Sequence, residues 1–261
     1  MADRDDDYAN VPYIPGGTQY PARWAVAAEA FRAGMAARAE LALPYGEGAR
    51  QAFDLFHPPG EARGLVVFVH GGYWLRFDRS LWSHLAAGAL GRGWAVAMPS
   101  YDLCPEVRIA DITRQIARAV GAAAARVAGP LALVGHSAGG HLVARMAVPG
   151  VLDGAVAARL RHVMPISPVS DLRPLLETSM NADFRLDMAS AEAESPVLMR
   201  PLPVPVTVWV GGDERPVFLD QARWLSRAWG AALEMTPGAH HFDVIEPLAD
   251  PESAMVRRLL G

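Results

Sequence analysis

The sequence predicts an α/β fold in which a mostly parallel central sheet is flanked by helices. Short apolar runs alternate along the chain with longer segments rich in Ala, Arg and Leu, and this alternation is typical of strand-helix-strand units. The apolar runs are nearly continuous, as expected for strands covered on both faces. No repeat or low-complexity linker interrupts the series, so we expect a single domain over residues 1–261.

Five segments have the length and composition of buried strands, namely 64–70, 94–100, 131–136, 161–167 and 204–211. Apolar residues at helical spacing predict four helices, at 81–91, 111–127, 140–147 and 217–230. Gly91 is the expected C-cap of the first helix. Two segments lie outside this series, an irregular N-terminal segment (1–45) and a polar insertion (171–200) that we interpret as a short cap. We expect these two segments to form a small lid over a site.

Composition and charge exclude several classes of partner. The chain is 51% hydrophobic with a formal net charge of -4, and its basic residues are spread out, which argues against nucleic acid. No leader and no apolar run of the ~20 residues needed to cross a bilayer is present, so we expect a cytoplasmic protein that does not bind membranes. The one cysteine, Cys104, fits a reducing compartment as a structural thiol. The sequence leaves the oligomeric state open, a homodimer included.

The stretch "LALVGHSAGGH" predicts a nucleophilic serine. An apolar strand leads into Gly135-His136-Ser137-Ala138-Gly139 and then into a helix. Glycines two residues before and after Ser137 allow the sharp strand-to-helix turn that lifts a serine hydroxyl above the edge of a sheet. The alternative is a glycine-rich helix start in which Ser137 is only a cap.

The motif His70-Gly71-Gly72-Tyr73-Trp74 follows an earlier strand and is expected to face that serine. Its glycines leave backbone N–H groups uncovered, and we expect Gly72, Tyr73 and Ala138 to donate to a developing oxyanion. His70 is interpreted as a residue that holds this loop. Trp74 is a candidate for the substrate pocket, with a place in the core as the alternative.

A serine nucleophile requires a general base and an orienting acid, in the chain order serine, acid, histidine. Asp213 and Glu214 follow the strand at 204–211, and His240 and His241 lie near the C-terminus. Spacing alone does not choose one member of each pair. Asp213 is also a candidate cap for the following helix.

Several motifs together resemble the kynurenine formamidase (arylformamidase) branch of the α/β-hydrolases, close to the hormone-sensitive-lipase-like esterases. They are "HGGYW", "YDLCPE", "GHSAGGH", "SDLRPLLETSMNADFRLD", "GGDERPVFLDQ" and "HHFDVIEPLADPES". The resemblance covers nearly the whole chain and implies an α/β-hydrolase fold. The branch's acid stands four residues before the phenylalanine of a Pro-x-Phe segment, which selects Glu214, with Asp213 as the alternative. Its histidine precedes phenylalanine and an acidic residue, which selects His241.

The resemblance implies acyl transfer through a covalent intermediate on Ser137, with His241 as the base and Glu214 orienting it. The implied substrate is N-formyl-L-kynurenine, cleaved to kynurenine and formate. A short-chain carboxylesterase is the alternative, and a non-catalytic ligand-binding protein on a hydrolase scaffold is a remote one. No cofactor is implied, and neither a phosphate-binding glycine loop nor a His-Glu-x-x-His metal motif is present.

Overall fold

The computed structural model describes residues 4–261. Eight strands in this range form one sheet. Its strands are β1 (Ala39–Pro44), β2 (Ala52–Phe56), β3 (Leu65–Val69), β4 (Ala95–Pro99), β5 (Leu131–His136), β6 (Leu160–Ile166), β7 (Thr207–Gly211) and β8 (Ala232–Thr236). Their order across the sheet is β1-β2-β4-β3-β5-β6-β7-β8. Strand β2 runs antiparallel to β1 and β4, and the other neighbouring pairs are parallel. The mostly parallel sheet is therefore confirmed.

The five strands expected from apolar runs are confirmed as β3 to β7. Strands β3, β4, β5 and β7 are buried at every residue, because hydrophobic clusters cover both faces of the sheet. In β3, for example, Val67 enters one cluster and the next residue, Phe68, enters the other. Strand β7 begins at Thr207, three residues later than the sequence suggested.

Strands β1, β2 and β8 were not expected from the sequence. Strands β1 and β8 are the edges of the sheet and are largely exposed, so they lack a continuous apolar run. Strand β2 is buried, but its central residue is Asp54, which binds Arg79 at 2.7 Å. The charged residue of this partly buried ion pair interrupts the apolar pattern by which a buried strand is recognised.

Ten α-helices lie in the described part of the chain. They are α1 (Arg4–Tyr8), α2 (Tyr20–Met35), α3 (Ala87–Gly91), α4 (Ile109–Arg126), α5 (Ala138–Met146), α6 (Gly154–Ala157), α7 (Asn181–Phe184), α8 (Met188–Ala193), α9 (Pro216–Trp229) and α10 (Ala254–Leu260). Short 3-10 helices are Val11–Tyr13, Gly17–Gln19, Ala36–Arg38, Arg79–Leu81, Ser83–Ala86, Arg173–Glu177, Pro196–Leu198 and Glu246–Ala249. The predicted helices are confirmed as α3, α4, α5 and α9, although 3-10 turns precede the short α3.

The expected C-cap at Gly91 is wrong by two residues. Gly91 is the last residue of α3, and Gly93 takes the left-handed conformation with φ +79°. The N–H of Gly93 donates to the carbonyl of Leu90 at 2.9 Å. Gly93 therefore ends the helix in the way that the sequence suggested for Gly91.

The N-terminal segment is more regular than expected, because it contains α2, a helix of 16 residues. Residues 1–3 of the expected segment lie outside the described residues. Only Tyr20, Trp24, Ala28 and Met35 of α2 are buried, a stripe too narrow to give a clear helical pattern. Its main anchor is Trp24, whose ring centroid lies 4.5 Å from that of Trp82.

Residues 4–14, here called the N-terminal strap, pack between the insertion at 171–200 and α9. Arg4 donates to Glu177 at 2.9 Å, and Asp5 accepts the N–H of Ser179 at 2.7 Å. The buried ring of Tyr8 packs edge-on against Phe218 of α9. The strap is thus fixed above the carboxyl ends of the parallel strands, where ligands bind in open α/β sheets.

Candidate active site

Ser137 occupies a strained turn between β5 and α5. Its backbone has φ 57° and ψ -118°, a conformation that L-residues rarely adopt and that is found at functional sites. A Cβ at Gly135 would collide with the carbonyl of Gly139, and a Cβ at Gly139 would collide with that of Val69. Both positions therefore require glycine, and the structure confirms the sharp strand-to-helix turn predicted from the sequence.

The loop after β7 brings Glu214, and not Asp213, to His241. Glu214 accepts a hydrogen bond from Nδ1 of His241 at 2.6 Å, and both side chains are almost completely buried. Asp213 is exposed, and its side chain makes no hydrogen bond to any residue of the described range. A carboxylate at this place fixes the ring orientation of the histidine and stabilises its protonated form.

The second carboxylate oxygen of Glu214 is held by two further donors. Oε1 accepts the hydroxyl of Ser167 and the backbone N–H of Gly211, the latter at 2.8 Å. Sequence reasoning missed Ser167, which follows β6 and has φ 46°. Its only signal in the sequence is a polar residue at the carboxyl end of a buried strand.

Two aromatic rings contact the ring of His241. The ring centroid of Phe218 lies 4.2 Å from it and that of His136 lies 4.6 Å from it. Burial holds the pKa of His136 well below its ordinary value. His240 is directed elsewhere, with Nε2 3.1 Å from the hydroxyl of Tyr20.

The loop after β3 packs directly on the turn that carries Ser137. A Cβ at Gly71 would stand 3.0 Å from Cβ of Ser137. Gly72, Tyr73 and Trp74 all have positive φ, at 110°, 54° and 57°. In residues 4–261 the N–H groups of Gly72, Tyr73 and Ala138 have no hydrogen-bond acceptor. They are therefore free to donate to a ligand, although their convergence on one oxyanion stays a prediction.

His70 holds this loop from below. Its Nδ1 donates to the carbonyl of Gly71 at 2.7 Å, and its ring stacks on Tyr101 with centroids 4.4 Å apart. Burial lowers the pKa of His70 to about 4, so the ring is neutral near pH 7. These contacts fit a residue that shapes the loop.

Trp74 lies in the core beneath the loop. It is fully buried, and its ring meets His141 and Phe184 edge-on at centroid distances of 5.1 and 5.6 Å. Its indole N–H has no partner among the described residues. A role for Trp74 in the substrate pocket stays a prediction.

The N-terminal strap closes one side of the site. A small cavity of about 20 Å³ is lined by Asn10 of the strap and by Glu214 and His241, among others. Arg215, next to Glu214, binds the carboxylate of Asp6 at 2.7 Å and lies 3.6 Å from the ring centroid of Tyr13. The strap is thus attached to the loop that carries the candidate acid.

No group of three or more His, Cys, Asp or Glu side chains within residues 4–261 could hold a metal ion. Over the same residues, none of the helices combines the length and the apolar character that a membrane span needs.

Comparison with known proteins agrees with this arrangement. A family model described as alpha/beta hydrolase fold matches residues 66–200. A kynurenine formamidase of Drosophila melanogaster is 30% identical over 241 residues, 83% of this chain and 79% of that protein. The kynurenine formamidase of Salmo salar is 27% identical, over 84% of this chain and 80% of that protein.

Solved structures give the same fold. A candidate thioesterase from Silicibacter sp. tm1040 is 61% identical over 100% of both chains, with a TM-score of 0.99. Esterase B of Lactobacillus rhamnosis, inhibited by a tributyrin phosphonate, is 19% identical with a TM-score of 0.66, over 93% of this chain and 91% of that one. The chain is therefore a hydrolase of the α/β-hydrolase fold family and belongs to its kynurenine formamidase-like branch.

Proposed function

We propose that this enzyme is a serine hydrolase that cleaves small aryl formamides, with N-formyl-L-kynurenine as the substrate and kynurenine and formate as the products. The observation that carries the proposal is the buried pair of Glu214 and His241. This pair lies at the carboxyl ends of the strands, as does Ser137 in its strained turn after β5. A serine, an acid and a histidine in this chain order are the components of acyl transfer through a covalent intermediate.

In the first half of the reaction, Oγ of Ser137 attacks the formyl carbon. His241 accepts the hydroxyl proton, and Glu214 stabilises the resulting imidazolium. The negative charge that forms on the carbonyl oxygen is held by the N–H groups of Gly72, Tyr73 and Ala138. His241 then gives its proton to the leaving nitrogen as the carbon–nitrogen bond breaks, which leaves a formyl ester on Ser137.

In the second half, water attacks this formyl ester. His241 accepts a proton from the water and returns it to Oγ of Ser137 as the ester bond breaks, so that formate leaves and the enzyme is regenerated. Each oxyanion donor contributes about 3 kcal/mol of transition-state stabilisation, by analogy with a serine protease. No step in this scheme requires a cofactor.

The substrate class is supported by the relatives and by the site. Two relatives that match over four fifths of the chain are named kynurenine formamidase. A formyl group is the smallest acyl group and needs only a narrow acyl pocket. The partly buried Tyr73 and the small cavity of about 20 Å³ beside Glu214 and His241 are consistent with such a pocket.

A short-chain ester or thioester hydrolase is the second candidate. It is favoured by the 61% identity to a crystal structure described as a candidate thioesterase. The same three side chains would serve it, because ester and amide hydrolysis share the tetrahedral intermediate and differ mainly in the leaving group.

The test is a comparison of kcat/KM for N-formyl-L-kynurenine, p-nitrophenyl acetate and a short acyl thioester. We expect the formamide to have the highest value, and a higher value for either other substrate would favour the second candidate. The Ser137→Ala variant is the control. It should turn over none of the three while keeping its far-UV circular dichroism, and near-native turnover would contradict Ser137 as the nucleophile.

A further inference from the structure

Asn10 is a buried polar residue whose side chain makes one of the four hydrogen bonds open to an amide, counted over the described residues. It precedes the 3-10 helix Val11–Tyr13, at a position where asparagine commonly caps the helix through its side chain. The side chain of Asn10 makes no such cap bond and is only 7% exposed. Its position is therefore not explained by the local structure of the strap.

The hydrogen-bond network fixes which way the Asn10 amide faces. The hydroxyl of Tyr73 donates its only proton to the backbone carbonyl of Tyr8 at 2.6 Å. The oxygen of Tyr73 must then accept, and Nδ2 of Asn10 donates to it at 3.3 Å. Oδ1 of Asn10 consequently faces away from Tyr73, and it accepts no hydrogen bond from any residue between 4 and 261.

Asn10, which carries this free oxygen, lies between the loop after β3 and the pair of Glu214 and His241. Tyr73 is part of the loop after β3, which carries two of the proposed oxyanion donors, while the small cavity beside Asn10 is also lined by Glu214 and His241. The leaving group of an acyl transfer departs from the side of the general base, because that base must protonate it. Asn10 is thus placed beside the path of the leaving group.

We propose that Oδ1 of Asn10 accepts a hydrogen bond from the N–H of the scissile amide and so makes the site selective for formamides over formate esters. The inference rests on the proposed function and names the residue that recognises the leaving group. An ester presents an oxygen without a proton at that point. A bound ester would shield Oδ1 from water without giving it a donor, which is unfavourable.

Asn10→Leu tests the proposal, because leucine has a similar volume and no acceptor. The substrates are N-phenylformamide and phenyl formate, which share the acyl group and the ring and differ in the N–H. Loss of the bond from Nδ2 to Tyr73 affects both substrates, so we expect the ratio of kcat/KM for the amide to kcat/KM for the ester to fall by about tenfold. Asn10→Ala, which adds no bulk, should show the same pattern if leucine impairs folding.

Arg4→Gln is the matched control, since it removes the 2.9 Å bond to Glu177 that holds the strap and leaves Asn10 intact. It should change both rates by the same factor. An equal loss on the amide and the ester in the Asn10 variants would overturn the role of Oδ1 and leave the proposed function standing. A wild-type enzyme that hydrolyses phenyl formate but no formamide would overturn both.

Discussion

Nδ1 of His241 and Oε2 of Glu214 are joined by a hydrogen bond of 2.6 Å, and both side chains are almost completely buried. The carboxylate of Glu214 could not be buried alone without a large desolvation cost. The pair is tolerated because Ser167 and Gly211 satisfy the other carboxylate oxygen. The carboxylate is therefore held in one orientation before any substrate arrives.

Glu214→Gln should lower kcat by a factor on the order of 10³ to 10⁴, because an amide at this position no longer stabilises the imidazolium. Asp213→Asn should change kcat by less than about threefold, since Asp213 is exposed and Nδ1 of His241 bonds to Glu214 instead. Steady-state kinetics on one ester and one formamide will measure both. A larger loss for the Asp213 variant would assign the orienting role to Asp213.

Replacement of the two neighbouring histidines, His240 and His241, should affect kcat as differently as replacement of Asp213 and Glu214. His241→Ala removes the proposed base and should cost on the order of 10⁴-fold in kcat. His240 contacts Tyr20 of α2, so His240→Ala should act mainly on the stability of that contact and leave kcat within about fivefold. Thermal unfolding measured beside the kinetics separates the two effects. Equal losses of kcat would show that both rings serve the reaction.

Ser167→Ala should lower kcat by about tenfold and leave KM nearly unchanged. The substitution removes a hydrogen bond to a buried carboxylate, which is worth about 1.5–3 kcal/mol, and allows Glu214 to rotate away from His241. Ser167→Thr keeps the hydroxyl and should retain more activity than the alanine variant. A kcat of Ser167→Ala equal to that of the wild type would mean that Gly211 alone holds the carboxylate.

The central sheet could be predicted from the sequence because burial on both faces leaves continuous apolar runs, as in β5. Strand β2 was not predicted because its central residue, Asp54, is charged. The partner of Asp54 is Arg79, 25 residues away, and a local sequence pattern does not show such pairing. Helix α2 was not predicted because it buries only a narrow stripe of side chains. In both cases the stabilising partner lies far along the chain.

The residues of the site also fall into those that the sequence predicted and those that it did not. Ser137 could be predicted because its turn imposes glycines at fixed positions, and the motif resemblance selected Glu214 and His241. Ser167 and Asn10 could not, because each acquires its role from a partner 47 or 63 residues away. Residues that support a site through folding alone carry no local signal.

Two fully buried histidines should make the protein less stable in acid. Burial lowers the pKa of both His70 and His141 to about 4, while a histidine in an unfolded chain titrates near ~6.5. Between these values the unfolded state binds more protons than the folded state. The free energy of unfolding therefore falls as the pH is lowered from about 6.5 to 4, and each histidine contributes up to ~1.4 kcal/mol per pH unit.

Urea unfolding at half-unit intervals between pH 4.5 and 7.5 will measure this slope in the wild type and in His141→Gln. Nε2 of His141 donates to the carbonyl of Glu194 at 2.7 Å, and a glutamine amide can replace that donor but cannot titrate. We expect the variant to lose less stability than the wild type on going from pH 6.5 to 4.5, so that the two curves converge in acid. Parallel curves would show that His141 does not resist protonation in the folded state.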